Sequence, residues 1–325
     1  MPSLRICHHN TQGLVNDFLI LKCALQSSFD IEHSVYSEVA LVKNETVKDI
    51  GNCDVNIFLE HIYEDFIQYA KKNVFIPNIE WFNTSDVSLI KHIDTICCKN
   101  DHSYKILKSK FPESIILNTG FTSIDRFNQS IPKKHDYFLH LKGISNYKNS
   151  QVLVDTWLKH PEWPTLVVVH HGNHQTRGTL HFAIPFKVSK NIIVYQSKLN
   201  DEALKSIMNQ CGVHICCSFS EGFGHYINEA RSTGAYLITT DGYPMKDFLK
   251  NQECGRLITP NKRVPLNFGE GYIIDSFAIE RIINSLIHLP GKILLKNGEK
   301  NRTNFLRDRD VFLTCVQKLF KSMSQ

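Results

Sequence analysis

Apolar residues fall along this chain in short runs separated by polar or helix-patterned stretches. The first run, Leu4 to Cys7, gives way to a polar loop, His8 to Gly13, and then to a helical segment from Val15 to Leu25. Further runs end at Tyr36, Glu60, Pro77, Cys98 and Leu117. The second half repeats the pattern with Tyr137–Leu141, Leu166–Val169, Ile192–Tyr195, Val213–Cys217 and Tyr236–Thr239. Strand and helix alternation of this kind predicts an α/β protein with mostly parallel sheets covered on both faces. The polar, proline-containing stretch Asn128 to Asp136 (NQSIPKKHD) separates the two blocks and reads as a linker, which predicts one domain over 1–130 and another over 137–305. A last helical segment, Asp308 to Phe320, shows apolar residues at Val311, Phe312, Cys315, Leu319 and Phe320.

The stretch from Val213 to Met245 carries the most chemistry. Val213, Ile215 and two cysteines read as a buried strand, Ser218 to Gly224 as a turn, and Phe223, Tyr226, Ile227 and Ala230 as the inward stripe of a helix that Gly234 ends. Ala235 to Thr240 forms a second strand, closed by Asp241-Gly242. A helix starting near Gly224 presents free backbone N–H groups and the positive end of its dipole, which suits a phosphate or diphosphate. Gly222 and Gly224 let the backbone come close. Glu221 and Glu229 would be repelled by phosphate, so their expected task is to accept hydrogen bonds from hydroxyls on either side of it. Eight residues of helix span about 12 Å, so the two side chains can bracket a nucleotide-sugar. A pair of glutamates at this spacing also arises by chance; its place between a buried strand and an amphipathic helix is what sets it apart.

The segment SEGFGHYINEA, Ser220 to Ala230, resembles the Glu-x7-Glu signature of retaining glycosyltransferases of the GT-B fold, family 4 type. PNIEW (Pro77 to Trp81), GFTSID (Gly120 to Asp125) and GISNYKN (Gly143 to Asn149) extend the resemblance. Tyr137 to Pro164 is similar to the opening of the family's second domain, and Asn191 to Cys211 to its nucleobase-lining strand and helix. The resemblance implies two Rossmann-like domains with parallel sheets facing across a cleft. The first would take the acceptor and the second the donor, with a terminal helix, 306–325, crossing back to the first.

Onto this sequence it implies Glu229 at the ribose and Glu221 at the sugar. Lys148 would sit at the diphosphate with the backbone of Gly222, Phe223, Gly224 and His225, and Lys142 and Gly143 on the first loop. Gly13 would approach the donor phosphates, and Gln196, Lys198 and Leu199 the nucleobase. His61 would line the catalytic cleft, although a lone histidine at a strand end also serves as a satisfied structural group. His9, Asn10 and Glu80 are acceptor candidates, with His8, Gln12, Asn78, Lys99, Thr122 and Ser123 placed alike; Trp81 reads as core. Two positions depart from the pattern. Ile144 stands where Arg or Lys is common, and Asp247 where Glu is usual. Lys142 either reaches the same phosphate or is a solvated strand-end lysine.

The implied activity is metal-independent transfer of a sugar from a UDP- or GDP-sugar to an acceptor hydroxyl with retention. The acceptor class, glycan, protein or lipid, stays open. A nucleotide-sugar epimerase of the same fold and a non-catalytic nucleotide-sugar-binding protein remain alternatives.

Composition changes this picture little. The 325 residues suffice for two domains, and 42% hydrophobic with 21% charged residues is ordinary for a globular chain. A net charge of +5 with no dense Lys/Arg block argues against nucleic acid and allows at most peripheral contact with an anionic membrane. None of the ten cysteines forms a ligand spacing, so reduced buried thiols are expected; His170, His171 and His174 would need ligands on one face with suitable partners to hold a metal, and a loop at the donor edge is expected instead. With no leader pattern and no long apolar run in the sequence, a cytoplasmic protein is expected. The Asn-x-Ser/Thr sequons at Asn44, Asn83, Asn128 and Asn301 then read as accidental.

Overall fold

The computed structural model describes residues 1–36, 51–170, 189–196, 199–249 and 252–323. The chain divides into two units. Unit 1 comprises Met1–Ile124 with Leu266–Gly269 and Arg307–Gln325; unit 2 comprises Asp125–Pro265 and Glu270–Leu306.

In unit 1 the chain runs β1 (Ser3–His9), α1 (Gln12–Leu25), β2 (Asp30–Tyr36), β3 (Cys53–Glu60), α2 (Glu64–Ile67), β4 (Ala70–Pro77), α3 (Thr84–Leu89), β5 (Thr95–Cys98), α4 (Asp101–Lys110) and β6 (Ile116–Asn118). Its six strands lie in the order β2-β1-β3-β4-β5-β6, and every pair is parallel. Val55, Ile57, Phe58 and Leu59 of β3 are fully buried, and so is Asn56 among them, whose amide donates to Phe66 O and Asn73 Oδ1, so the strand does not alternate buried with exposed positions. Asparagine side chains start two helices: Asn83 forms a reciprocal capping box with Asp86 at α3, and Asn100 accepts from Ser103 N at α4.

Unit 2 repeats the plan with β7 (Lys134–Gly143), α5 (Ser150–Leu158), β8 (Thr165–His170), β9 (Ile192–Tyr195), α6 (Asp201–Gln210), β10 (Cys211–Cys216), α7 (His225–Ser232), β11 (Tyr236–Thr240) and β12 (Gly255–Ile258). The parallel order is β12-β11-β10-β7-β8-β9. A two-stranded sheet, β13 (Lys262–Leu266) with β14 (Gly269–Ile273), and two helices, α8 (Ser276–Leu286) and α9 (Gly291–Met323), follow. Its core gathers Phe138, Trp157 and Trp163 with Val213, Ile215 and Ile238, and Trp157 stands edge-on to Trp163 at 4.9 Å. No helix among the described residues is long and apolar enough to cross a membrane.

Three sequence expectations shift. The change of unit falls at Ile124/Asp125, ahead of the stretch expected as a linker. The cause is Asn209, fully buried, whose side chain donates to Arg126 O (2.7 Å) and accepts from Asn128 N (2.9 Å), fastening that stretch to unit 2. Helix α9 starts at Gly291, well before Asp308, and its buried face is Phe305, Phe312, Val316 and Phe320, while Val311 and Cys315 are exposed. Phe312 and Phe320 of the expected stripe are thus buried, and Val316, absent from it, lies between them on the same face. Helix α1 starts at Gln12 with Thr11 as its cap, so Gly13 lies in the helix's first turn rather than in a loop, exposed and with open space where a Cβ would stand.

Candidate functional site

In a parallel sheet the loops after the strands gather at the carboxyl ends, and in unit 2 three of them carry the expected residues. Strand β7 ends in a bulge between Leu141 and Gly143, and Gly143 adopts φ +57°, a left-handed turn that a Cβ would strain. Asn149, also left-handed, then donates to Cys217 O (3.0 Å) and Tyr272 O (3.1 Å), locking the loop against the one that follows β10. Phe219 N donates to Tyr147 O at 2.8 Å, completing the clamp.

This clamp brings Lys148 and Glu221 together. Lys148 Nζ pairs with Glu221 Oε1, which also accepts from Ser218 Oγ, and both charged side chains keep a small accessible fraction, 15% and 13%. Three residues on, Gly224 caps α7 with φ +102°, and no cap side chain accepts from the helix's first turn. A Cβ on Gly224 would meet the Phe248 ring at 3.0 Å. Phe223, expected at the donor, has its ring packed edge-on against Phe248 and His225 at 5.3 Å each and is 6% exposed.

Glu229 lies one turn further along α7 and is buried. Its partner is Arg126, which sequence reasoning passed over although it directly follows the GFTSID segment. Arg126 Nε stands 3.5 Å from Glu229 Oε1, an ion-pair distance without hydrogen-bond alignment, so neither atom has a hydrogen-bond partner; the other end of the guanidinium pairs with Asp201. Burial outweighs the pull of Arg126 and raises the Glu229 carboxyl above its usual range. Lys142 is 5% exposed, which removes the solvated-lysine reading, and burial lowers its pKa. Leu199 is half-buried before α6, and Lys198 lies outside the described residues. Ile144 is 77% exposed. Beneath the loops, His140 is held neutral between Ile215 O (2.9 Å) and Ser150 Oγ (2.7 Å), with its pKa pushed down to about 4.

Unit 1 assembles a different group at the ends of β1, β3 and β4. His61 Nδ1 donates to Asp86 Oδ2 at 2.9 Å, and Asp86 also accepts from Ile62 N (2.8 Å) and Asn83 N (3.1 Å). The Asp86 carboxylate raises the His61 pKa. The His9 ring stands edge-on to His61 at 5.9 Å and to Tyr63 at 5.4 Å, so His9 and His61 are brought together, and Asn10 is exposed beside them. Glu80 is not open: it is 3% exposed, and Gly269 stands over it, so that a Cβ on the glycine would lie 3.1 Å from Glu80 Cβ. Lys99 is spent on a buried pair with Asp17 (2.7 Å) and on Asn78 Oδ1 (2.9 Å), and Thr122 and Ser123 are buried. Trp81, by contrast, is 37% exposed.

Eight of the ten free cysteines are buried, and Cys23 and Cys315 are exposed. Among the described residues no group of three or more His, Cys, Asp or Glu is placed to hold a metal ion; His171 and His174 lie outside them. An open groove of about 550 Å³ along α9, lined by Lys292, Lys296 and Lys300 with Glu253, contains none of the residues above.

Residues 121–265 match the family model "Glycosyl transferases group 1". No curated protein matches the chain. Among solved structures, sucrose-phosphate synthase from Thermosynechococcus elongatus is similar with a TM-score of 0.76 at 11% identity, over 99% of each chain. The UDP-forming alpha,alpha-trehalose-phosphate synthase from Burkholderia xenovorans is similar with a TM-score of 0.66 at 10% identity, over 100% of this chain and 99% of that one. The GtfA/B complex gives a TM-score of 0.62 at 17% identity over 89% of this chain, which spans only 61% of that longer one. At these identities the structures speak for the fold alone, two parallel six-stranded sheets of the GT-B kind, and the family model, over less than half of the chain, speaks for the region it matches. The region it matches contains Arg126, Lys148, Glu221 and Glu229, and together these findings support a glycosyltransferase of GT-B architecture.

Proposed function

We propose that this protein transfers a sugar from a nucleotide-diphospho-sugar to an acceptor hydroxyl with retention at the anomeric carbon, as a family 4 type enzyme working without a bound metal. One observation carries the reading: Lys148 and Glu221 meet at the uncapped mouth of α7, with the buried Glu229 eight residues on. The helix mouth and Lys148 supply positive charge for a diphosphate, both in place before the ligand arrives. Glu221, now paired with Lys148, would turn to the sugar's hydroxyls as Lys148 turns to the phosphate. Glu229 Oε1 accepts no hydrogen bond, and a ribose hydroxyl would provide one.

In the reaction the bond from the anomeric carbon to the phosphate oxygen breaks, and a bond from the same face to the acceptor oxygen forms. The acceptor's proton passes to the departing phosphate oxygen, so no covalent nucleophile is called for. Lys148 and the α7 amides stabilise the charge that grows on the leaving group. The acceptor side would fall to unit 1, where His61 and His9 stand at strand ends. A UDP-sugar is favoured over a GDP-sugar by the likeness to a synthase named as UDP-forming.

The test is a thermal-shift screen of UDP, GDP, ADP and their sugars, followed by product analysis with the sugar that binds. A ligand at a hundred times its Kd adds about 2.7 kcal/mol of stability, a shift of several degrees. One nucleotide series is expected to respond, and Glu229→Ala to lose the response. A flat screen, or a variant that responds in full, would defeat the assignment; interconversion of the sugar with no acceptor consumed would mark an epimerase instead.

A further inference from the structure

Unit 1 holds a strained residue that the preceding reading leaves without a task. Glu60, the last residue of β3, has φ +70°, and His61 N donates back to Leu59 O at 2.9 Å, closing a three-residue turn of the rare left-handed kind. For a residue with a Cβ this conformation costs on the order of 1–3 kcal/mol and persists only where its surroundings impose it. They do: Asn78 Nδ2 donates to Glu60 Oε2 at 2.6 Å, and Asn78 is itself fixed by Lys99, which the buried Asp17 anchors.

The strain aims two consecutive side chains at one point. Glu60 Oε1 lies 4.0 Å from His61 Nε2, while the other side of the ring is tied to Asp86. Four ångströms is too long for a direct hydrogen bond, yet an oxygen about 2.8 Å from each fits at the apex of the two. Carboxylates on both sides favour the doubly protonated ring, which makes Nε2 a donor facing an acceptor. The group that accepts from one and donates to the other is a hydroxyl. An anionic group is disfavoured, since Glu60 and Asp86 together outweigh the single imidazolium. Both side chains remain partly accessible, 18% for Glu60 and 22% for His61, as Glu80 is not. His9 and Tyr63 give the point an aromatic wall.

We propose that Glu60 and His61 form a hydroxyl-reading pair that recognises a neutral, polyhydroxylated acceptor in unit 1, with Asp86 and Asn78 as positioning residues. Its role in transfer rests on the glycosyltransferase reading; its binding chemistry does not. The test follows the His61 ring signals by NMR in protein labelled at histidine, assigned with His61→Gln, as methyl α-glucoside or glucose 6-phosphate is added.

The neutral sugar is expected to move the His61 signals saturably, with the phosphorylated sugar weaker. Glu60→Gly, which takes φ +70° without strain but leaves Asn78 Nδ2 without its acceptor, two effects of similar size and opposite sign, is expected to melt near the parent and to weaken the neutral sugar about tenfold. Glu60→Gln, which keeps the side chain's length and an oxygen for Asn78 while removing the charge, checks that the carboxylate is responsible. His61 signals indifferent to the neutral sugar, an unchanged titration in Glu60→Gly, or tighter binding of glucose 6-phosphate would each overturn the pair. The nucleotide thermal shift of Glu60→Gly is read alongside. A chain that senses the sugar at His61 but no nucleotide would refute the transfer reading and leave the pair standing.

Discussion

The two six-stranded sheets are built alike and end in opposite chemistry. At the strand ends of unit 2, ion pairs meet a helix start: Lys148 pairs with Glu221 ahead of α7, Arg126 stands between Glu229 and Asp201, and His140 beneath the loops is buried and neutral. At those of unit 1, the carboxylates of Glu60 and Asp86 flank a histidine whose pKa they raise. One architecture thus carries ion pairs beside a helix start on one unit and a carboxylate-flanked histidine on the other, and the proposed roles, diphosphate and acceptor hydroxyl, follow that difference. The difference lies in a handful of loop residues, as expected when a fold fixes where ligands gather and side chains decide which ones.

The sharpest break of this contrast is at the Lys148–Glu221 pair. Lys148→Ala is expected to lower transfer by about 10²–10³-fold, the usual effect of removing one charge-stabilising donor at a reacting centre. Glu221→Gln should leave nucleotide binding nearly intact while transfer falls, because Lys148 is then free for phosphate. Steady-state kinetics beside nucleotide binding separates the two; equal losses of binding in both variants would place Glu221 with the phosphate rather than the sugar.

Acid should separate the units next. His140 and His214 are buried and neutral, with pKa values pushed down by burial to about 4 and about 3. Below an ordinary histidine pKa of about 6.5 the unfolded chain takes up protons that these two refuse, so each removes about 2 kcal/mol from unit 2 by pH 5. Glu229, raised by burial, opposes part of this loss. His61 runs the other way: its raised pKa adds stability that is full below about 6.5 and disappears as pH climbs through its folded value. In unit 1, His33, lowered by burial and by His8, offsets some of that gain. Hydrogen exchange at pH 7 and pH 5, corrected for intrinsic rates, is expected to show β7 and β10 losing more protection than β3 and β4. Uniform loss would mean the buried histidines do not govern acid stability.

Much of this contrast was legible in the sequence, and the rest was hidden for identifiable reasons. Runs such as Ile57–Leu59 and Ile215–Cys217 announce doubly covered strands, and the polar residues beside them, Asn56 and His214, are themselves fully buried and hydrogen-bonded. The turn from Ser218 to Gly224 was readable from its glycines and the helix that follows, whereas Lys148, many residues away, came only from the family resemblance; the structure pairs it with Glu221. Arg126 and Asp86 were missed because each acts through a partner far along the chain, Glu229 and His61, and no local spacing records such a pairing. Glu60 was missed because a left-handed backbone at a glutamate has no sequence signature. Glu80 and Lys99 misled for the converse reason: a polar residue after a strand looks the same whether it faces a ligand or is consumed by a buried neighbour such as Asp17.

A smaller effect tests the electrostatics of unit 1. Asp86→Asn keeps an oxygen for Ile62 N but removes the charge that holds the His61 proton, so the ring's pKa should fall toward its ordinary value. The cost in stability should be about 1–2 kcal/mol, the difference between a charge-assisted and a neutral hydrogen bond at a buried acceptor. Histidine NMR titration and denaturant melts measure both. A ring pKa unmoved by the substitution would transfer the main influence to Glu60, which lies 4.0 Å away on the opposite nitrogen.

The smallest expected change sharpens unit 2 instead. Ile144 follows Gly143 at the position where a basic residue would be expected, and it is 77% exposed, so Ile144→Arg should leave the melting temperature within error. An added exposed cation at this loop should tighten nucleotide-diphosphate binding by about 0.5–1 kcal/mol, a gain that salt erodes. Should the affinity stay unmoved, the reason is to be sought one residue earlier. Lys142 is buried and its pKa is lowered by burial, so a bound phosphate would gain from it more than from any solvated arginine. In that case Lys142→Met weakens binding where Ile144→Arg does nothing, and the loop's working cation is the desolvated lysine before the glycine.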